Sequence, residues 1–125
     1  MTVYRHFTGV VYSAVVKAMA EEKGAYWLID AIASHVVANK KFKTACKQDE
    51  RFRDMQVWIL KKLDSNCENM ASLTAVADSG EKPKIKQLIP FTDFPFDENG
   101  EFKLFCGLTQ VGERITYHIF EPSEY

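Results

Sequence analysis

The sequence predicts an α+β fold, an N-terminal helical pair packed on a C-terminal antiparallel sheet of four to five strands, as a single domain over residues 1–125. Three observations carry this. Up to Asp54 the apolar residues recur at three- and four-residue spacing, whereas from Met55 onward they alternate, a change from helical to strand period. Turn-forming clusters at Asp64-Ser65-Asn66, Asp78-Ser79-Gly80-Glu81-Lys82-Pro83 and Asp97-Glu98-Asn99-Gly100 cut the second half into strand-length pieces. The stretch Gly24 to His35 is apolar around nearly its whole circumference, so as a helix it belongs in a core and needs a second layer to cover it.

In chain order, Met1 to Gly9 reads as an arm lying along the body. Val10 to Lys23 carries Val11, Val15 and Met19 at helical spacing and forms a first amphipathic helix. Gly24 fits the position just past its end, where glycine takes a left-handed conformation at little cost. A second helix follows from Ala25 to Asn39, leaving only a narrow polar strip through Asp30 and Ser34. Lys40 to Asp54 is rich in charge, with Phe42 and Phe52 as anchors, and reads as a helical turn or two and a loop.

Met55, Val57, Ile59 and Leu63 then fall on one side of a strand, with Gln56, Trp58 and Lys62 on the other. Ala71 to Ala77 and Lys84 to Phe91 complete a three-stranded meander. Phe91 to Phe96 interrupts the pattern, because Pro95 cannot donate to a central ladder, and its three phenylalanines call for burial. Glu101 to Leu108 and Arg114 to Phe120 supply the last two strands. The final Tyr125 is expected to dock, with its carboxylate near Arg5 or Arg114.

Composition narrows the function classes. Lys and Arg number 16 against 17 Asp and Glu, a formal charge of −1, and no predicted face interleaves basic residues with aromatics. Nucleic acid is therefore not the expected partner, and Lys40, Lys41 and Lys43 read as a solvated helix end. Cys46, Cys67 and Cys106 are too widely spaced for a zinc site or a disulfide framework, which points to a reducing cytoplasm. No run approaches the roughly 20 apolar residues of a membrane span. No metal and no cofactor is expected.

Asp30 stands out as a carboxylate within an apolar helix, costly unless paired or at a solvent gap. Its neighbours Ser34 and His35 extend a polar cluster, read first as a structural network with a group from the sheet. Trp27 is read as core. Trp58 is read as core in the same way, yet, out of phase with the apolar side of its strand, it is also the candidate either to cover the second sheet face or to anchor a partner, a role in which Trp is enriched. Tyr4 and His6 are the remaining candidates, placed with Trp27 around Asp30.

Gly24 to His35, Tyr4-Arg5-His6, Gln56-Val57-Trp58, Thr92-Asp93-Phe94-Pro95 and the closing Pro122-Ser123-Glu124-Tyr125 together resemble, in the same order, an uncharacterised family of small bacterial, plasmid and phage proteins, the DUF6876 type. Ser13-Ala14 departs from the Thr-Asp-Gly-like turn of that pattern, and Phe105 to Phe120 is longer than usual. The resemblance brings no activity, substrate or cofactor. Its mobile-element setting implies a factor that binds a host or rival protein, for which inhibitors of bacterial defence such as anti-CRISPR proteins are the analogy of context. The expectation is thus a non-enzymatic protein-binding factor, using the sheet's exposed face or an edge strand. The alternatives are a ligand-binding or hydrolytic pocket around Asp30 and a homodimeric structural module.

Overall fold

The computed structural model describes residues 2–63 and 69–125. The expected turn at Asp64-Ser65-Asn66 and Cys67 lie outside the described residues. The chain runs β1 (Val3–Arg5), β2 (Val11–Ser13), α1 (Ala14–Lys23), α2 (Tyr26–Ala38), α3 (Lys40–Gln48), α4 (Glu50–Asp54), β3 (Met55–Lys62), β4 (Ala71–Val76), β5 (Ile85–Ile89), β6 (Glu101–Val111) and β7 (Arg114–Phe120), closing on a 3-10 turn at Pro122–Glu124. The strands form one sheet in the order β1-β2-β7-β6-β3-β4-β5.

The α+β class stands, but among the described residues the sheet has seven strands rather than four or five, and it is mixed because β2 runs parallel to β7. The two extra strands come from the N-terminal segment. Three residues each, they are too short to show an alternating period, and Val11 also fits the i, i+4 spacing of the helix that follows. Helix α1 begins after Ser13 instead of at Val10: the Ser13 hydroxyl accepts from the Val16 amide at 3.1 Å and caps it. Gly24 ends it in the left-handed conformation, with φ 62°, as expected. Lys40 to Asp54 holds two helices, capped by Asn39 and Asp49, whose side chains accept from the Lys41 and Arg51 amides.

The helices cover one face of the sheet, and the residues of β3 that meet them are Gln56, Trp58 and Leu60, 0%, 1% and 1% exposed. The expected inward side, Met55, Val57 and Ile59, faces the other way. Both phases of this central strand are apolar, Val57 being 5% exposed, so alternation alone cannot choose between them. Trp58 is therefore no surface anchor. It stacks near Phe42 at 6.3 Å and His35 at 5.5 Å in the middle of the core. Of the three phenylalanines between β5 and β6, Phe94 is buried and packs against Phe96 and Phe102 at 5.0 and 5.1 Å, whereas Phe91 is 71% exposed.

The face away from the helices carries Phe105 and Phe120, directly paired across β6 and β7. Tyr125 touches both rings, at 5.6 and 6.2 Å, but is 81% exposed, so the expected docking is an edge contact only, and Glu124 accepts from the Ser13 hydroxyl at 2.8 Å. Arg114 donates to the Gly9 carbonyl at 3.0 Å, not to a carboxylate. Beside this contact His118 Nε2 is buried and, among the described residues, has no hydrogen-bond partner. Burial holds the His118 imidazole below its ordinary value, with Glu124 acting in the opposite sense. Its neutral form is thus favoured by folding, a contribution complete above about pH 6.5 and lost as pH falls through the folded value. In a urea-unfolding series run from neutral to mildly acid pH, His118→Gln should reduce the acid-side loss of stability.

Candidate binding groove

The expected polar strip of α2 borders a groove of about 630 Å³ between this helix and β5. Its helical wall is Trp27, Asp30, Ala31, Ser34, His35 and Ala38, at spacings of three and four residues that set them on one face. The opposite wall is Gln87 and Ile89 of β5, with Asn39 closing one end. Tyr26–Ala38 agrees with the predicted helix to within a residue at each end, which is why the strip was legible.

Two hydrogen-bonded networks fix the walls. His35 Nε2 lies 2.6 Å from Gln87 Oε1 and its Nδ1 lies 2.8 Å from the Asn39 amide nitrogen. An amide nitrogen can only donate, so Nδ1 accepts from Asn39, and Nε2–H is left to donate to Gln87. The ring rests on Trp58, so the core indole sets the position of the side chain that ties α2 to β5. At the opposite border of the same helix face, His6 Nε2 meets Asp30 Oδ1 at 2.7 Å, with side chains 8% and 60% exposed. His6 Nδ1 is 2.8 Å from the Thr8 hydroxyl and accepts from the Thr8 backbone amide at 3.2 Å. The partner of Asp30 is thus a histidine of the β1–β2 loop rather than a group from the central sheet, and Asp30 is at the solvent gap that its charge requires.

The order Thr8, His6, Asp30 places a hydroxyl, an imidazole and a carboxylate in line. Thr8 lies only two residues from His6, and its own amide shares the same ring nitrogen. The Val10 carbonyl also accepts from the His6 amide, at 2.7 Å. The arrangement fastens the β1–β2 loop to α2 and leaves Nδ1 engaged, not free to take a proton from a substrate.

Trp27 and Asp30 are therefore at the groove and His6 is joined to it through Asp30. Tyr4 is elsewhere, stacked on Tyr12 at 5.9 Å with the Lys17 ammonium over its ring, and Trp58 lies beneath. Sequence reasoning missed Gln87, Asn39 and Thr8. For Gln87 a signal existed: it shares the inward phase of Ile85 and Ile89, where a polar side chain needs a partner.

Cys46 is 3.9 Å from the Tyr117 hydroxyl, and burial raises both groups above their ordinary values. Burial does the same to Cys106. Neither thiol is primed as a nucleophile. Among the described residues no three His, Cys, Asp or Glu side chains gather as a metal site, and no helix is long and apolar enough to cross a membrane.

The groove's free border is the outer edge of β5. This strand ends the sheet, and among the described residues none pairs with that edge. Leu88 on the strand is 55% exposed. Compared with known protein families, the chain matches one model of unknown function over residues 1–125. The chain belongs to the DUF6876 family. Neither a curated protein nor a solved structure matches it. For this DUF6876 chain the functional reading rests on the groove and its edge.

Proposed function

We propose that this chain is a non-enzymatic protein-binding factor that captures an extended segment of a partner by adding it as a further strand to β5, over the groove walled by α2. The carrying observation is the edge of β5, unpaired among the described residues, lying directly beside that groove. An open edge supplies backbone donors and acceptors for the partner's main chain, and a flanking cleft supplies pockets for alternate side chains. Trp27, Ile89 and Ala31 offer apolar contact, while Asp30 and Ser34 offer polar partners. In the mobile-element setting that the family resemblance implies, the partner is a protein of a bacterial host or of its defence systems.

The test is affinity capture from a bacterial lysate, read by mass spectrometry, with Ser34→Trp and Ala38→Arg as controls. Both positions are exposed, so the substitutions obstruct the groove and leave the core intact. Recovery of a stoichiometric partner should fall by about tenfold or more, the loss of roughly 1.4 kcal/mol of binding. Equal recovery by wild type and both variants overturns the reading.

A further inference from the structure

We infer that the segment captured along β5 is acidic, with carboxylates seated at the Lys40, Lys41 and Lys84 end of the groove; this rests on the strand-addition reading above. A second cleft, of about 420 Å³, is lined by Lys40, Lys41, Thr44, Ala45 and Gln48 on one side and by Pro83 and Lys84 on the other. Its helical wall begins where that of the first ends, since Asn39 closes the groove and Lys40 follows it. Its other wall is the chain entering β5. The two clefts therefore lie end to end along one edge. At about 3.3 Å per residue, the five residues of β5 span roughly 17 Å, so one extended segment reaches both.

The charged side chains that line this cleft are all lysines. Helix α3, Lys40–Gln48, carries Lys40, Lys41, Lys43 and Lys47 and no Asp or Glu. Among the described residues, the only carboxylate within ion-pair distance of Lys40, Lys41 or Lys84 is Asp49, 4.0 Å from Lys84. Glu81, in the turn before β5, is engaged elsewhere, taking both terminal nitrogens of Arg51 at 2.9 and 3.0 Å. A protein of formal charge −1 thus concentrates lysines on both sides of a cleft. At the far end Trp27, Ala31 and Ile89 are apolar. The complementary segment has Asp or Glu beside Lys84 and an apolar or aromatic residue beside Trp27. Phosphates would also answer the lysines. The edge of β5, however, matches a peptide main chain, which a nucleic acid does not supply.

Selection from a random displayed-peptide library on the whole folded chain tests this. The expected winners are rich in Asp and Glu. Their affinity should fall about tenfold in Lys40→Glu/Lys41→Glu and with rising salt, as it does when steering charges are reversed. Ser34→Trp should abolish their binding, and circular dichroism should show both variants folded. Winners without acidic bias that are still lost in Ser34→Trp overturn the acidic inference and leave strand capture standing. If no peptide is enriched, both fall. Oligothymidylate binding that is lost in the Lys40→Glu/Lys41→Glu variant makes a nucleic acid the occupant, and concentration-dependent dimerisation lost in Ser34→Trp makes it a second copy of the chain. Either result overturns the inference.

Discussion

Trp58→Ala is expected to cost about 3 to 5 kcal/mol of folding stability, the range for deleting a buried aromatic. The indole is 1% exposed on β3, the strand between β4 and β6. It lies against Phe42 and His35, with Ala75 and Leu104 opposite it on the two neighbouring strands. Removing it leaves a cavity that two paired strands cannot close by moving together. It also removes the platform under His35, so the His35–Gln87 link and the groove it braces should loosen. Urea unfolding followed by far-ultraviolet circular dichroism measures the first effect. A loss below about 1 kcal/mol, the ordinary result for a surface side chain, would contradict the placement of Trp58 in the core.

Gln56→Ala should cost about 2 to 4 kcal/mol by a different route. Gln56 is 0% exposed; its amide nitrogen donates to the Phe52 carbonyl of α4, and its oxygen accepts from Trp58 Nε1 at 3.3 Å. Truncation strands a buried carbonyl and a buried indole N–H, each at about 1 to 3 kcal/mol. Gln56→Glu sharpens the prediction. An ionised carboxylate cannot donate to Phe52 and is buried among apolar groups, whereas a protonated one can. The buried Glu has its pKa raised by folding, so the variant should gain stability relative to wild type as pH falls through that raised value. Parallel pH profiles for the variant and wild type would show Gln56 to be no structural link.

Much of the helical half was legible because its signals are local. Gly24 marks a helix end through its own backbone freedom, and α2 shows through an apolar surface broken only at Asp30 and Ser34. The phase of β3 was not legible, since Val57 and Trp58 are both apolar and only the tertiary arrangement shows which one the helices cover. Strands β1 and β2 escaped notice because three residues carry no period, and the parallel pairing of Val11 with His118 joins residues too far apart in the chain for any sequence spacing to reveal. Asp30 was correctly marked as needing a partner, but nothing local could name His6, which lies in a loop 24 residues away. The lysines at 40 and 41 fit a solvated helix end until Lys84 of another segment appears across a cleft from them.

The most direct measurement of the central claim is backbone amide exchange of the whole chain, with and without a saturating peptide from the library selection. The account predicts that amides of Ile85–Ile89 facing away from β4 slow by about tenfold or more, while those of β1, at the opposite edge, are unchanged. Protection confined to β1 or to the Phe105 and Phe120 face, with β5 exchanging as before, would contradict strand capture at this edge.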